Sequence, residues 1–326
     1  MNRFKRTLAG LAVAGTAALA AQAPVHAADD FPSRPLHLVV PFAAGSGTDT
    51  VARLTAKLLS ERLKQPVIVD NKAGANGAIG AEFVARSAPD GYTLFMTTNT
   101  SHSAAPFIMK HIPYDPVKDF APVSRMGNLP FMLVISPTTP ANTLHEFIAY
   151  AKAHPGLNYA SGNSTGIVTG ATLSKMAGLQ MTHVPYKSTP PAMTDLMGGQ
   201  VQLMFVDFTA GIGNVRAGKL RALAVTTAEP SSLLPDLPPV ASEPGLKGFD
   251  ITSWNAIFAP AGTPAPVIAR LNKELVAIVS DKANVDEFKK FGFEAFGSTP
   301  DELGAFVKEE LKKWEGLVKD AGIQPE

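Results

Sequence analysis

Cysteine is missing from all 326 residues. That excludes structural disulfides, thiol catalysis and the acylated cysteine of a lipoprotein. Charge of one sign is not in excess, with 29 Lys and Arg against 28 Asp and Glu. The chain therefore lacks the basic stripe that nucleic acid requires and the polybasic run that draws a protein to an anionic membrane. No H-E-x-x-H or comparable ligand spacing is present, so no metal is expected. AAGSGTDT lacks the third glycine of a dinucleotide fingerprint, and no cofactor is expected. Beyond the first turns of the chain there is no long apolar run.

What is present at the N-terminus reads as an export leader. Arg3, Lys5 and Arg6 precede an uncharged stretch over 8–21, and Val25-His26-Ala27 places small residues at the minus-three and minus-one positions. Cleavage is expected after Ala27, and the apolar stretch is too short to span a bilayer. Losing residues 1–27 lowers Lys and Arg from 29 to 26 against 28 acids, a net charge of about −2. A mature chain of about 300 residues has the length of two domains, each able to bury its own core.

Along the mature chain, short β-branched runs at 36–40, 67–69, 93–96, 131–135, 157–160, 181–184, 201–206 and 220–225 predict strands. Amphipathic stretches between them predict helices, and the alternation predicts an α/β fold with mostly parallel sheets. The proline-rich segment 229–248 reads as a surface connection, followed by helices at 264–279, 284–291 and 300–321. In open sheets of this class ligands sit beyond the carboxyl ends of strands.

Three post-strand loops are the candidates. Gly45-Ser46-Gly47-Thr48-Asp49 and Ser161-Gly162-Asn163-Ser164-Thr165 both open helices, where free N–H groups and the helix dipole favour an anion. The third is Thr97-Thr98-Asn99-Thr100-Ser101, again after a strand, with Thr98 and Asn99 as its candidate ligand residues. None contains Lys or Arg, so an anion here would be held by neutral donors. The same residue types are also ordinary helix caps. Asp49 could cap, order its loop or meet a ligand ammonium, and Asp207 is open to the same readings. One helix end contributes about 0.3–1 kcal/mol to binding a charge, whereas micromolar affinity needs about 8 kcal/mol. Two helix ends converging from separate domains, with several hydrogen bonds and exclusion of water, could reach that figure. The rival reading is an exported serine hydrolase, because Gly162-Asn163-Ser164-Thr165-Gly166 fits G-x-S-x-G. Only His183 follows in a position to act as base, and no acid lies between Thr165 and Thr182, against the order that such enzymes need.

Many segments in order carry a wider resemblance: FPSRPLHLVVPF, AAGSGTDTVAR, VIVDNKAGANGAIGAEFVARSAPDGYTL, LNYASGN, HVPYKSTPPAMTDLMGGQVQLMF, AGKLRALAVT, SWNAIFAPAGTP and GSTPDEL. Together they resemble the substrate-binding proteins of tripartite tricarboxylate transporters, the Bug family. The resemblance implies a type II periplasmic-binding-protein fold, with two α/β domains closing on a carboxylate, often through ordered waters. It also implies a monomer in the periplasm, without enzymatic activity, that delivers its ligand to a permease of one large and one small integral subunit. Domain 1 would comprise 29–130 and 252–326, and domain 2 would comprise 131–251.

Carried over by position, the first ligand loop falls on 42–49, from Phe42 through Ser46, Gly47 and Thr48 to Asp49. The second falls on Ser161, Asn163, Ser164 and Thr165, and the strand-end acid on Asp207. Ser46 replaces a glycine common in the family, Gly166-Ile167-Val168 replaces a Ser-x-His pattern, and Phe208 replaces a more polar neighbour of Asp207. Ser46 adds a hydroxyl, whereas apolar Ile167, Val168 and Phe208 would suit a ligand with a hydrophobic or aromatic body or would equally pack in the core.

Overall fold

The computed structural model describes residues 31–326. The expected leader and its cleavage site lie outside them. The chain runs β1 (Leu36–Val40), α1 (Gly47–Leu63), β2 (Val67–Asn71), α2 (Ala78–Ala85), β3 (Thr93–Thr97), α3 (Ala105–Ile108) and β4 (Phe120–Leu129). It continues through β5 (Phe131–Ile135), α4 (Leu144–Ala153), β6 (Leu157–Ser161), α5 (Ser164–Ala177), β7 (Met181–Pro185), α6 (Thr189–Met197), β8 (Leu203–Asp207), α7 (Phe208–Arg216) and β9 (Arg221–Val225). After the proline-rich connection come β10 (Ser253–Pro260), α8 (Ala265–Ser280), α9 (Lys282–Lys290), β11 (Glu294–Ala295) and α10 (Pro300–Ala321).

Two sheets result, a six-stranded one in the order β11-β4-β10-β3-β1-β2 and a five-stranded one in the order β7-β6-β8-β5-β9. In the first, alternate side chains enter different cores. Leu36, Leu38, Val40 and Met96 face one, while Val39, Phe95, Trp254 and Phe258 face the other, as the two-residue period of a strand covered on both faces requires. Each fully buried Leu or Phe of this kind contributes about 1.5–3 kcal/mol. Across the first sheet, β1 pairs parallel with β2 and β3. β10 runs antiparallel to β3 and β4. In the second sheet, β6 is parallel to β7 and β8, but β5 is antiparallel to β8 and β9.

The expectation of mostly parallel sheets is therefore corrected to mixed ones. The reason lies in the crossings. β4 and β5 are separated only by Pro130 and belong to different sheets, and β10 returns alongside β4, with Ser253 paired to Leu129. Strands that leave one sheet for another in a continuous extended run enter against the direction of the helix-connected strands around them.

The last helix ties down the first sheet. Thr299 and Glu302 form a reciprocal capping box at its start, a device that satisfies two orphan N–H groups. Buried Glu310 accepts hydrogen bonds from both indoles, Trp254 Nε1 at 2.8 Å and Trp314 Nε1 at 3.0 Å. α10 also packs on α5. Among the described residues no helix is long and apolar enough to cross a membrane.

Candidate functional site

The β1–α1 loop ends in a helix cap: Ser46 Oγ accepts from Asp49 N–H at 3.2 Å. That cap leaves the N–H groups of Gly47 and Thr48 as the free donors at the start of α1. Across the gap, Asn163 caps α5, its Oδ1 accepting from Gly166 N–H at 2.9 Å, which leaves the first amides of a second helix facing the first. Asp207, at the end of central strand β8, caps α7 by accepting from Ala210 N–H at 2.8 Å. Burial pushes its carboxyl up to about 6, against the lowering effect of that backbone bond.

These elements meet around one small cavity. Of the residues singled out in the sequence, Phe42, Ser46, Gly47, Thr48, Thr98, Asn163, Thr165 and Asp207 line it. So do Thr100, which belongs to the third candidate loop, and Leu129, Phe131, Thr189 and Ser253, which the sequence reading had not selected. Thr189 had a local signal, since Pro190 and Pro191 after it mark a helix start; the other three lie on crossing strands and carry none. No Lys, Arg or His lines the cavity.

Asp49, Asn99, Ser161 and Ser164 are not in that lining. Asp49 is buried, and its carboxylate accepts from Gly45 N–H at 2.9 Å, Asn71 Nδ2 at 2.8 Å and Arg53 Nε at 2.9 Å. Burial pushes its carboxyl up, but the bonds from Arg53, Gly45 and Asn71 outweigh it and hold the group below its ordinary value. Asn71 Nδ2 also donates to Phe42 O at 2.9 Å. Asp49 thus fastens its loop to β2, with both carboxylate oxygens engaged within the lobe.

We expect Asp49→Asn to cost about 1–2 kcal/mol at neutral pH in urea unfolding, charge-assisted bonds being partly offset by the exposure of Arg53. A carboxyl lowered by folding stabilises above its unfolded pKa and loses that effect as pH falls through the folded value. The deficit should therefore shrink below pH about 4. Any loss of affinity should fall equally on an amino acid and its deaminated analogue.

The lobes are drawn together by direct bonds. Asn99 Nδ2 donates to Thr165 Oγ1 at 2.9 Å, and Ala43 N–H donates to Ser188 Oγ at 3.2 Å. A Cβ on Gly47 would stand 1.9 Å from Asp207 Oδ1. The space left between them is accordingly only about 10 Å³, room for at most about one water. Beside it runs a wider groove of about 580 Å³ between Asn76 and Met109 on one side and Ser161, Ile167, His183 and Lys187 on the other.

The hydrolase geometry is not formed. His183 Nε2 is bonded to Ser161 Oγ at 2.6 Å, whereas Ser164 Oγ is buried with no hydrogen-bond partner among the described residues. A nucleophile needs a base within hydrogen-bond reach. His183 is the hydrogen-bonded structural histidine expected from its place in a strand. His102 in the third loop is fully buried and stacked on Phe258 at 4.1 Å; burial pushes it down to about 3, so it stays neutral. No group of three or more His, Asp or Glu placed to hold a metal occurs among the described residues.

Two α/β lobes meeting over helix termini, without a nucleophile and base pair at the junction, have the build of a solute-binding receptor. The family profile described as tripartite tricarboxylate transporter family receptor matches residues 51–323, and the chain belongs to that family of receptor proteins. It is similar to Protein BugT of Bordetella pertussis (strain Tohama I), with 37% identity over 320 residues, 96% of this chain and 95% of BugT. Among solved structures it is similar to R. palustris Rpa4515 with adipate, at 35% identity and TM-score 0.89, covering 91% of this chain and 100% of that one. It is also similar to MatC of Rhodopseudomonas palustris with bound malate, at 33% identity and TM-score 0.82, covering 88% and 100%.

Proposed function

We propose that the protein is a periplasmic receptor that closes two α/β lobes on a small carboxylate. It then delivers the ligand to a membrane permease built of one large and one small integral subunit. The observation that carries this reading is the convergence of two capped helix starts, at Gly47 and Thr48 of α1 and at Asn163 and Thr165 of α5, on one cavity without a cationic side chain. Free amides of two helices add their dipoles where a carboxylate would lie. The bound adipate and malate of the two similar proteins support the same ligand class.

The lobes correspond to 29–130 with 252–326 and to 131–251. They part by a hinge at the paired crossings near Pro130 and Ile251, which opens the cavity to admit the ligand. Thermal-shift screening of the mature protein against mono-, di- and tricarboxylates tests the reading. A true ligand at 100 times its Kd stabilises by about 2.7 kcal/mol. A flat response to every carboxylate would count against it.

A further inference from the structure

We propose that capture of a carboxylate in this cleft takes up one proton, carried by Asp207, which changes from a repelling anion to a hydrogen-bond donor. The inference rests on the carboxylate-receptor reading above and concerns how that site tolerates its own acid.

Asp207 is 3% exposed and is the one carboxyl group in the cavity lining. Its Oδ1 points at the first residue of α1. A Cβ on Gly47 would stand 1.9 Å from its Oδ1, 2.6 Å from its Cγ and 3.1 Å from its Oδ2. The carboxyl group therefore stands against the start of α1, whose first N–H groups suit a bound anion. A ligand carboxylate seated on those donors is thereby brought next to Asp207.

No charge nearby relieves that contact. β5, β6 and β10 contain no charged residue; α5 contributes only Lys175, α6 only Asp195, which is bonded to Tyr186, and α7 only Arg216, each in its last turn, while Lys187 ahead of α6 lines the outer groove and Arg221 at the start of β9 is bonded to Ala141 O. The first two turns of α1 contribute Asp49 and Arg53, which are paired with each other. Gly292, which packs on Phe208, follows Lys290, itself exposed and paired with Glu287.

Two carboxylates side by side in a water-excluded site cannot both stay ionised, and one takes up a proton. Burial already holds Asp207 near 6, above the range of about 4 of an ordinary carboxylate, so the proton goes there. The new O–H forms on the oxygen that the α7 cap leaves over, with the proton supplied by water or buffer, and it donates to the ligand. An amino acid would behave differently, because its ammonium would pair with the ionised acid and bring no proton uptake.

The test is calorimetric titration of the mature protein with adipate and with malate, in buffers of different ionisation enthalpy, between pH 5.5 and 8. We expect uptake close to one proton per ligand at pH 7.5 and a Kd that weakens about fivefold from pH 6 to 7 and about tenfold from pH 7 to 8. The complex holds the proton and the free protein does not, so affinity is highest at low pH and is lost as pH rises.

Asp207→Asn keeps an acceptor for the α7 cap and mimics the neutral acid. It should bind with no proton uptake and a flat profile, more tightly than wild type at pH 8. Wild-type binding with no uptake and a flat profile, a test that needs no variant, would overturn the proposal and leave the receptor reading standing. So would an unchanged slope in a folded Asp207→Asn protein. No heat and no thermal shift with either acid at any pH would remove both readings.

Discussion

Gly47→Ala should cut carboxylate affinity by a factor on the order of 100 while leaving the fold intact. Its new methyl would sit 1.9 Å from Asp207 Oδ1 and 2.6 Å from Cγ, distances at which one lobe must move away from the other. Overpacking of this kind costs about 1–3 kcal/mol, roughly 5- to 150-fold in affinity. Gly47 opens α1 with helical geometry, so the backbone accepts alanine and helix propensity favours it. Stability should hold or rise slightly, and the loss should fall on closure alone. Small-angle scattering would then show no compaction on adding a ligand that compacts the wild type. Wild-type affinity together with compaction would mean that Asp207 does not pack on α1 in the closed form.

Gly162→Ala should have the opposite profile, with damage to the fold first. Its Cβ would meet backbone, Ser188 C at 2.2 Å and Thr189 N at 2.3 Å, and backbone at a helix start cannot rotate aside. We expect a loss of about 3 kcal/mol, read as roughly 6–12 °C in Tm. The start of α6 would shift, and with it Ser188, whose hydroxyl accepts from Ala43 across the gap. Gly213→Ala is the control. It lies inside α7 with nothing within 4 Å of its Cβ and should be neutral or stabilising by up to about 1 kcal/mol.

Both positions sit at loops that were visible in the sequence, because helix starts announce themselves locally. Strands 36–40 and 131–135 match β1 and β5, and 300–321 matches α10, whose start has Thr299 and Pro300 and whose end has Gly322. β4 and β10 were not read as strands, for separable reasons. β4 contains Pro122 and Gly127, and its register with β10 shifts twice, which destroys any period of two. β10 is buried along its whole length, polar Ser253 and Asn255 included, so no water-facing positions mark a period of two. Those two strands carry Leu129 and Ser253 to the cavity wall, so that part of the site depends on pairing between residues far apart in the chain. Asp49 could not be assigned from its loop for a similar reason, since Asn71, which fills one of its oxygens, comes 22 residues later.

The Glu310 anchor bears on how the molecule can be watched. The chain has two tryptophans, and both indoles are buried and bonded to that one carboxyl. Trp254 follows the cavity residue Ser253 but faces the opposite side of its strand, into the core beneath α10. Intrinsic emission therefore comes from two indoles fixed in the first lobe and turned from the cleft. It will report melting of that lobe while staying nearly silent to ligand capture. An indole that senses closure belongs at Phe131, where the strand crossing from one lobe to the other forms the cavity wall.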